Sequence, residues 1–93
     1  MAKNRSVIPF VSREDYAELL RIVDDPGNLP ADYNAFLKDV DNLVEDGKQS
    51  GMLIAKIEIK PAELVQWCRI QRRPIDRAAR AAYAFFIDAQ ANK

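Results

Sequence analysis

Histidine is absent from this 93-residue chain, and cysteine occurs once, as Cys68. The first absence removes Ser-His-Asp and Cys-His nucleophilic sites and the commonest zinc ligand. A lone cysteine cannot close an internal disulfide, form a CxxC redox pair or build a structural zinc site, and it suits a reducing cytoplasm. No run approaches the roughly 20 apolar residues of a membrane span, and MAKNRSVIPF lacks the apolar core of a signal peptide. Charge of one sign is missing too. The 14 basic and 14 acidic residues cancel, so the chain as a whole has no pull on a polyanion. There is no internal repeat and no low-complexity tract. These absences lead to an expectation of a cytoplasmic protein with no membrane span, no metal, no cofactor and no catalytic residue, hence not an enzyme.

What is present is ordinary for one globular domain: 48% hydrophobic residues in a length that buries a core with a modest stability margin. Residues 1–5 read as a flexible basic tail and 6–93 as a single domain. The segment Met52–Lys60, MLIAKIEIK, alternates with period two, Leu53, Ala55, Ile57 and Ile59 on one face against Met52, Ile54, Lys56, Glu58 and Lys60 on the other. Pro61 ends it and suits the first turn of a helix. The apolar run Val7, Ile8, Phe10, Val11 is interrupted by Pro9, which marks an edge strand and the natural partner for Met52–Lys60.

Helices fill the rest. Ser12 and Asp15 resemble a capping box, and Tyr16, Leu19, Leu20 and Val23 make one stripe. Asp24-Asp25-Pro26-Gly27-Asn28 is a turn. Pro30 opens a second helix with Tyr33, Phe36, Leu37, Val40, Leu43 and Val44 inward, ending near Gln49. Pro61 starts a third, with Leu64, Trp67 and Cys68 inward, to about Gln71. Pro74 initiates the last, with Ile75, Ala78, Ala79, Ala82, Phe85, Phe86 and Ala89 on one broad side. The expected architecture is a mostly helical α+β domain in βαα–βαα order. A helical hairpin returning the chain to its starting side makes the two-stranded sheet antiparallel, with dimerisation able to extend it.

The succession IPF, DDPGNLPADYNAFL, IEIKPAELVQWC and RAARAAYAFF resembles that of a group of short uncharacterised bacterial proteins, over most of the chain from Ile8 to Phe86. The resemblance implies a bacterial source and a self-contained domain. It carries over no catalytic or binding residue.

Three features invite a functional reading. Asp24, Asp25, Asn28 and Asp32 crowd one turn, but their spacing is not that of a D-x-D-x-D-G calcium loop, and capping accounts for carboxylates there. Arg69, Arg72, Arg73, Arg77 and Arg80 fall within twelve residues and could contact an anion or nucleic acid. Residues 61–93 carry a net +3 and residues 24–46 a net −6, so internal pairing competes with that role. No aromatic residue is interleaved to stack bases. Finally, the apolar last helix, through Tyr83, Phe85, Phe86 and Ile87, and the strand at Ile54 offer contact surface for a homodimer or another protein partner. The leading expectation is a non-enzymatic protein–protein interaction module that self-associates through its strand and last helix. A nucleic-acid-associated regulator using the arginine cluster is the alternative.

Overall fold

The structure, a computed structural model, describes residues 4–91. Among them the order is β1 (Arg5–Phe10), α1 (Arg13–Ile22), a single 3-10 turn (Pro26–Asn28), α2 (Tyr33–Gln49), β2 (Leu53–Glu58), α3 (Pro61–Gln71) and α4 (Arg77–Ala91). Of the tail expected over residues 1–5, the first three lie outside the described residues. Asn4 and Arg5 belong to the sheet: the Asn4 carbonyl accepts from the Leu53 N–H at 2.9 Å, and Arg5 opens β1.

The βαα–βαα order holds, but the two strands run parallel, not antiparallel. Arg5 lies level with Leu53 and Phe10 with Glu58. The reason lies in the two helices between them. They do not act as a hairpin along the sheet. α1 leaves the end of β1 and packs on α3. Only α2, 17 residues and so about 25 Å long, runs back beside the sheet to the start of β1. The segment β1–α2–β2 is therefore a helical crossover, and a crossover joins parallel strands. α4 lies against the other face of the sheet: the Arg5 guanidinium, on one face of β1, grips Asp88 of α4 through Nε at 2.8 Å and Nη2 at 2.6 Å. Ile54, on the opposite face of β2, meets Gly47 of α2, where a Cβ would fall 2.2 Å from Ile54 Cδ1. The result is α2, sheet and α4 in three layers.

The caps follow from sequence. Ser12 Oγ accepts from the Asp15 N–H at 3.3 Å, and Pro61 takes the first turn of α3. α2 begins three residues later than Pro30, because Asp32 caps it by accepting from the Ala35 N–H at 3.2 Å. Gly51, with φ of +80°, closes its far end. Val11, Leu19, Ile59, Leu64 and Cys68 form the driest part of the core, where the strand ends meet α1 and α3.

The inner face of α4 is rotated from the expected one. Its buried residues are Ala79, Arg80, Tyr83, Ala84 and Asp88. Phe85 and Phe86 are 61% and 39% exposed. Two charged residues face inward because each has a partner outside the helix, Asp25 for Arg80 and Arg5 for Asp88. Apolar periodicity alone cannot register such partners.

Candidate functional site: an open strand edge in a cleft

A two-stranded sheet has two outer edges. The Leu53 N–H donates to the Asn4 carbonyl and the Ile59 N–H to the Phe10 carbonyl at 2.8 Å. Alternate residues of a strand point their backbone groups to opposite sides. Asn4, Ser6, Ile8 and Phe10 thus serve the β1–β2 ladder, while Arg5, Val7 and Pro9 point theirs away from β2. Pro9 costs the ladder nothing, because its missing N–H falls on an outward position. The outer edge of β1 offers the N–H groups of Arg5 and Val7 and three carbonyls.

This edge lies in a cleft of about 540 Å³. Four consecutive residues of β1, Ser6–Pro9, form its floor. α2 makes one wall with Phe36, Asp39, Val40, Asn42 and Leu43, and α4 the other with Arg77, Arg80 and Ala81. Leu43 is 46% exposed, an apolar group with water on one side. Residues Asn28, Leu29 and Pro30 close one end. That end is the one near Phe10: Tyr33 Oη donates to the Val11 carbonyl at 2.7 Å, and Tyr16 Oη donates to the Pro30 carbonyl. Four strand residues at about 3.3 Å each, one strand spacing of about 4.8 Å and about 10 Å between layers fill on the order of 600 Å³. The cleft therefore has the size of one short added strand.

The closed end is held by the acidic turn. Asp25 takes Arg80 in a forked pair, Nη1 to Oδ1 at 2.7 Å and Nη2 to Oδ2 at 3.2 Å. It also accepts from the Arg77 N–H at 2.9 Å and Asn28 Nδ2 at 3.0 Å. Burial alone would raise the Asp25 carboxyl, but the hydrogen bonds from Arg80 and Asn28 outweigh it and hold the group below the usual carboxylate value. Asp24 accepts from the Ile75 N–H at 2.7 Å and Asp76 from the Ala79 N–H at 2.9 Å. Asp25 and Asp76 thus take up amides of the first turn of α4, and Asp24 fixes the backbone just before it. Asp32, the fourth member of the acidic group, caps α2. Among the described residues no group of three or more histidine, cysteine, aspartate or glutamate side chains is placed to hold a metal ion.

The arginines do not form one surface. Arg80 is consumed by Asp25. Arg73 lies over the Trp67 ring at 5.7 Å. Arg72 has left-handed backbone, φ 56°, at the end of α3. Arg69, Arg72 and Arg77 make no ion pair among the described residues, and Arg77 alone of these lines the cleft. Of the expected interface residues, Tyr83 is buried and packs its ring at a tilt against Trp67, centroids 5.3 Å apart. Ile87 is half-buried against the core, and Ile54 is covered by Gly47. Phe85 and Phe86 remain open. Phe85 is one helical turn beyond Ala81, on the outer side of the α4 wall. Cys68 is buried, which pushes its thiol up and keeps it a core residue.

The cleft was hidden from sequence reasoning. The only signal for it was Pro9, which marked β1 as an edge. Comparison with protein-family models, curated proteins and solved structures gave no match, so the site is read from its own geometry.

Proposed function

We propose that this protein is a non-enzymatic interaction module that takes an extended segment of a partner chain as an added strand on the outer edge of β1. The observation that carries this reading is the outer side of Arg5–Pro9, which takes no backbone partner among the described residues, at the floor of a cleft with about the volume of one short strand. Main-chain bonds to such an edge supply affinity, and alternate side chains facing the two walls supply selectivity. Leu43, 46% exposed, offers apolar contact on the α2 side, backed by the buried Phe36 and Val40, and Ala81 does so on the α4 side.

Self-association through the strand competes for the same edge. A second copy's β1 lies between its own α2 and α4, whose bulk would meet the walls of the cleft. The occupant is therefore a segment free of flanking helices.

The test is selection from a display library of random heptapeptides. Val7→Pro removes the outward N–H and leaves the ladder intact. The reading expects selected peptides to lose binding to this variant. N-methylation of alternate peptide residues should abolish binding in one phase and leave it unchanged in the other. If no peptide is retained above the Val7→Pro background, or if N-methylation has no alternating effect, the strand-addition reading fails. Dimerisation abolished by Val7→Pro, seen by sedimentation, would replace the peptide by a second copy and equally overturn it.

A further inference from the structure

The cleft is asymmetric along its length, and the asymmetry selects one end of one kind of chain. Near Phe10 it is stopped by Asn28–Pro30. Its other end, beside Arg5, has no such stop among the lining residues. A strand added to β1 must therefore finish at the Pro9 end instead of passing through. Two features meet there. Pro9 has no N–H, so a peptide carbonyl opposite it receives no donor from β1. Arg77 stands at the same level: Asp88, late in α4, meets Arg5 at the start of β1, while Arg77, Arg80 and Ala81, early in α4, line the cleft with Ser6–Pro9, so α4 runs antiparallel to β1. The eleven residues from Asp88 back to Arg77 span about 16 Å of helix, and Arg5 to Pro9 about 13 Å of strand. The Arg77 guanidinium makes no ion pair among the described residues, whereas neighbouring Arg80 is neutralised by Asp25.

Resting on the strand-addition reading, we infer that the occupant is the carboxyl-terminal segment of a partner chain, about five residues long. It lies parallel to β1 with its terminal carboxylate opposite Pro9, held by Arg77. A chain ending there with its amino terminus would run antiparallel and bring an ammonium group against Arg77, a like-charge contact. The carboxylate instead supplies the acceptor that Arg77 binds, and it needs no donor from Pro9. Asp39 on the opposite wall repels further carboxylates along the segment, so the geometry favours one terminal charge over an acidic tract.

The experiment uses the full chain and the peptides selected above, each made with a free carboxyl terminus and as the terminal amide. Affinity is measured for the native protein and for Arg77→Gln. Amidation should weaken binding to the native protein by about tenfold or more. Arg77→Gln should cost a similar factor for the free acid, and amidation should cost nothing further in that variant. Arg77 is exposed, so the variant should keep the native unfolding midpoint, and Arg77→Lys should recover part of the loss. Peptides that bind equally as acid and amide, with strand-type N-methylation effects intact, would overturn the terminal-carboxylate inference while leaving strand addition standing. Peptides whose acidity is needed at an internal residue instead would overturn it too. Absence of any strand-type binding would remove both.

Discussion

The two outer edges of the sheet are built differently. By the same alternation that turns Arg5, Val7 and Pro9 outward on β1, residues Ile54, Lys56 and Glu58 turn outward on β2. β2 carries charge at two of these positions: Lys56 leans across the sheet over the Phe10 ring of β1 at 5.2 Å, and Glu58 pairs with Lys60 at 2.7 Å. Charged side chains on an edge strand are a recognised guard against unwanted pairing. β1 carries no such guard at its centre. Its one charge, on Arg5, is folded back onto Asp88, and Pro9 blunts only one end. Helices then flank the unguarded edge as walls. An edge that is merely exposed invites aggregation, whereas one set in a walled slot admits a single strand and excludes a sheet. That contrast is the physical basis of the binding role proposed for β1.

The largest effect that would sharpen the contrast concerns the closed end of the cleft. Asp25→Ala leaves Arg80, whose side chain is 7% exposed, without its carboxylate. The expected loss is about 3 kcal/mol in chemical denaturation, because a buried charge stripped of its partner is costly. Lys60→Ala, which breaks the exposed pair at the β2 edge, should leave the denaturation midpoint where it was. The Asp25 pair has a pH signature as well. Its folded-state carboxyl is held below the ordinary aspartate value, so its contribution is complete above about pH 4 and fades as pH falls from there through the folded-state value. Urea midpoints followed from pH 7 down to pH 2 should show this component in the native chain and not in Asp25→Asn. An acid response identical in the two would break the claim that this pair holds the cleft end.

A smaller effect separates the two sides of β1. Ile8→Pro removes an N–H aimed at β2 and a side chain that is 6% exposed. It should cost about 2–4 kcal/mol. Val7→Pro, one residue away, removes an outward N–H and should cost less than about 1 kcal/mol. Equal destabilisation by the two would show that the outward and inward assignments are wrong.

Much of this fold was legible in the chain. Ser12 and Pro61 announced their helices, α2 stopped at Gln49 as expected, and Met52–Lys60 contained a strand because its alternation is local. The strand direction was not legible, since it depends on α1 turning away to pack on α3. The face of α4 was misjudged for a related reason. Arg80 and Asp88 look like solvent residues until Asp25 and Arg5, 55 and 83 positions away, are brought to them. The opposite charge of residues 24–46 and 61–93 hinted at such pairing, and the turn residue Asp25, outside the acidic α2 helix, turned out to provide it. The middle strand drew attention as the adhesive element because it is the more regular of the two. The cleft lies on the other strand, where two helices distant in sequence happen to wall the edge. No pattern within β1 itself could announce that.

The most direct measurement is amide hydrogen exchange along β1, residue by residue, in the free protein and with a saturating selected peptide. The account predicts alternation in the free protein: Ser6 and Ile8 slow, Arg5 and Val7 fast. Addition of peptide should slow Val7 and leave Ile8 as it was. A Val7 amide as protected as that of Ile8 in a dilute monomer, or one indifferent to bound peptide, would contradict it.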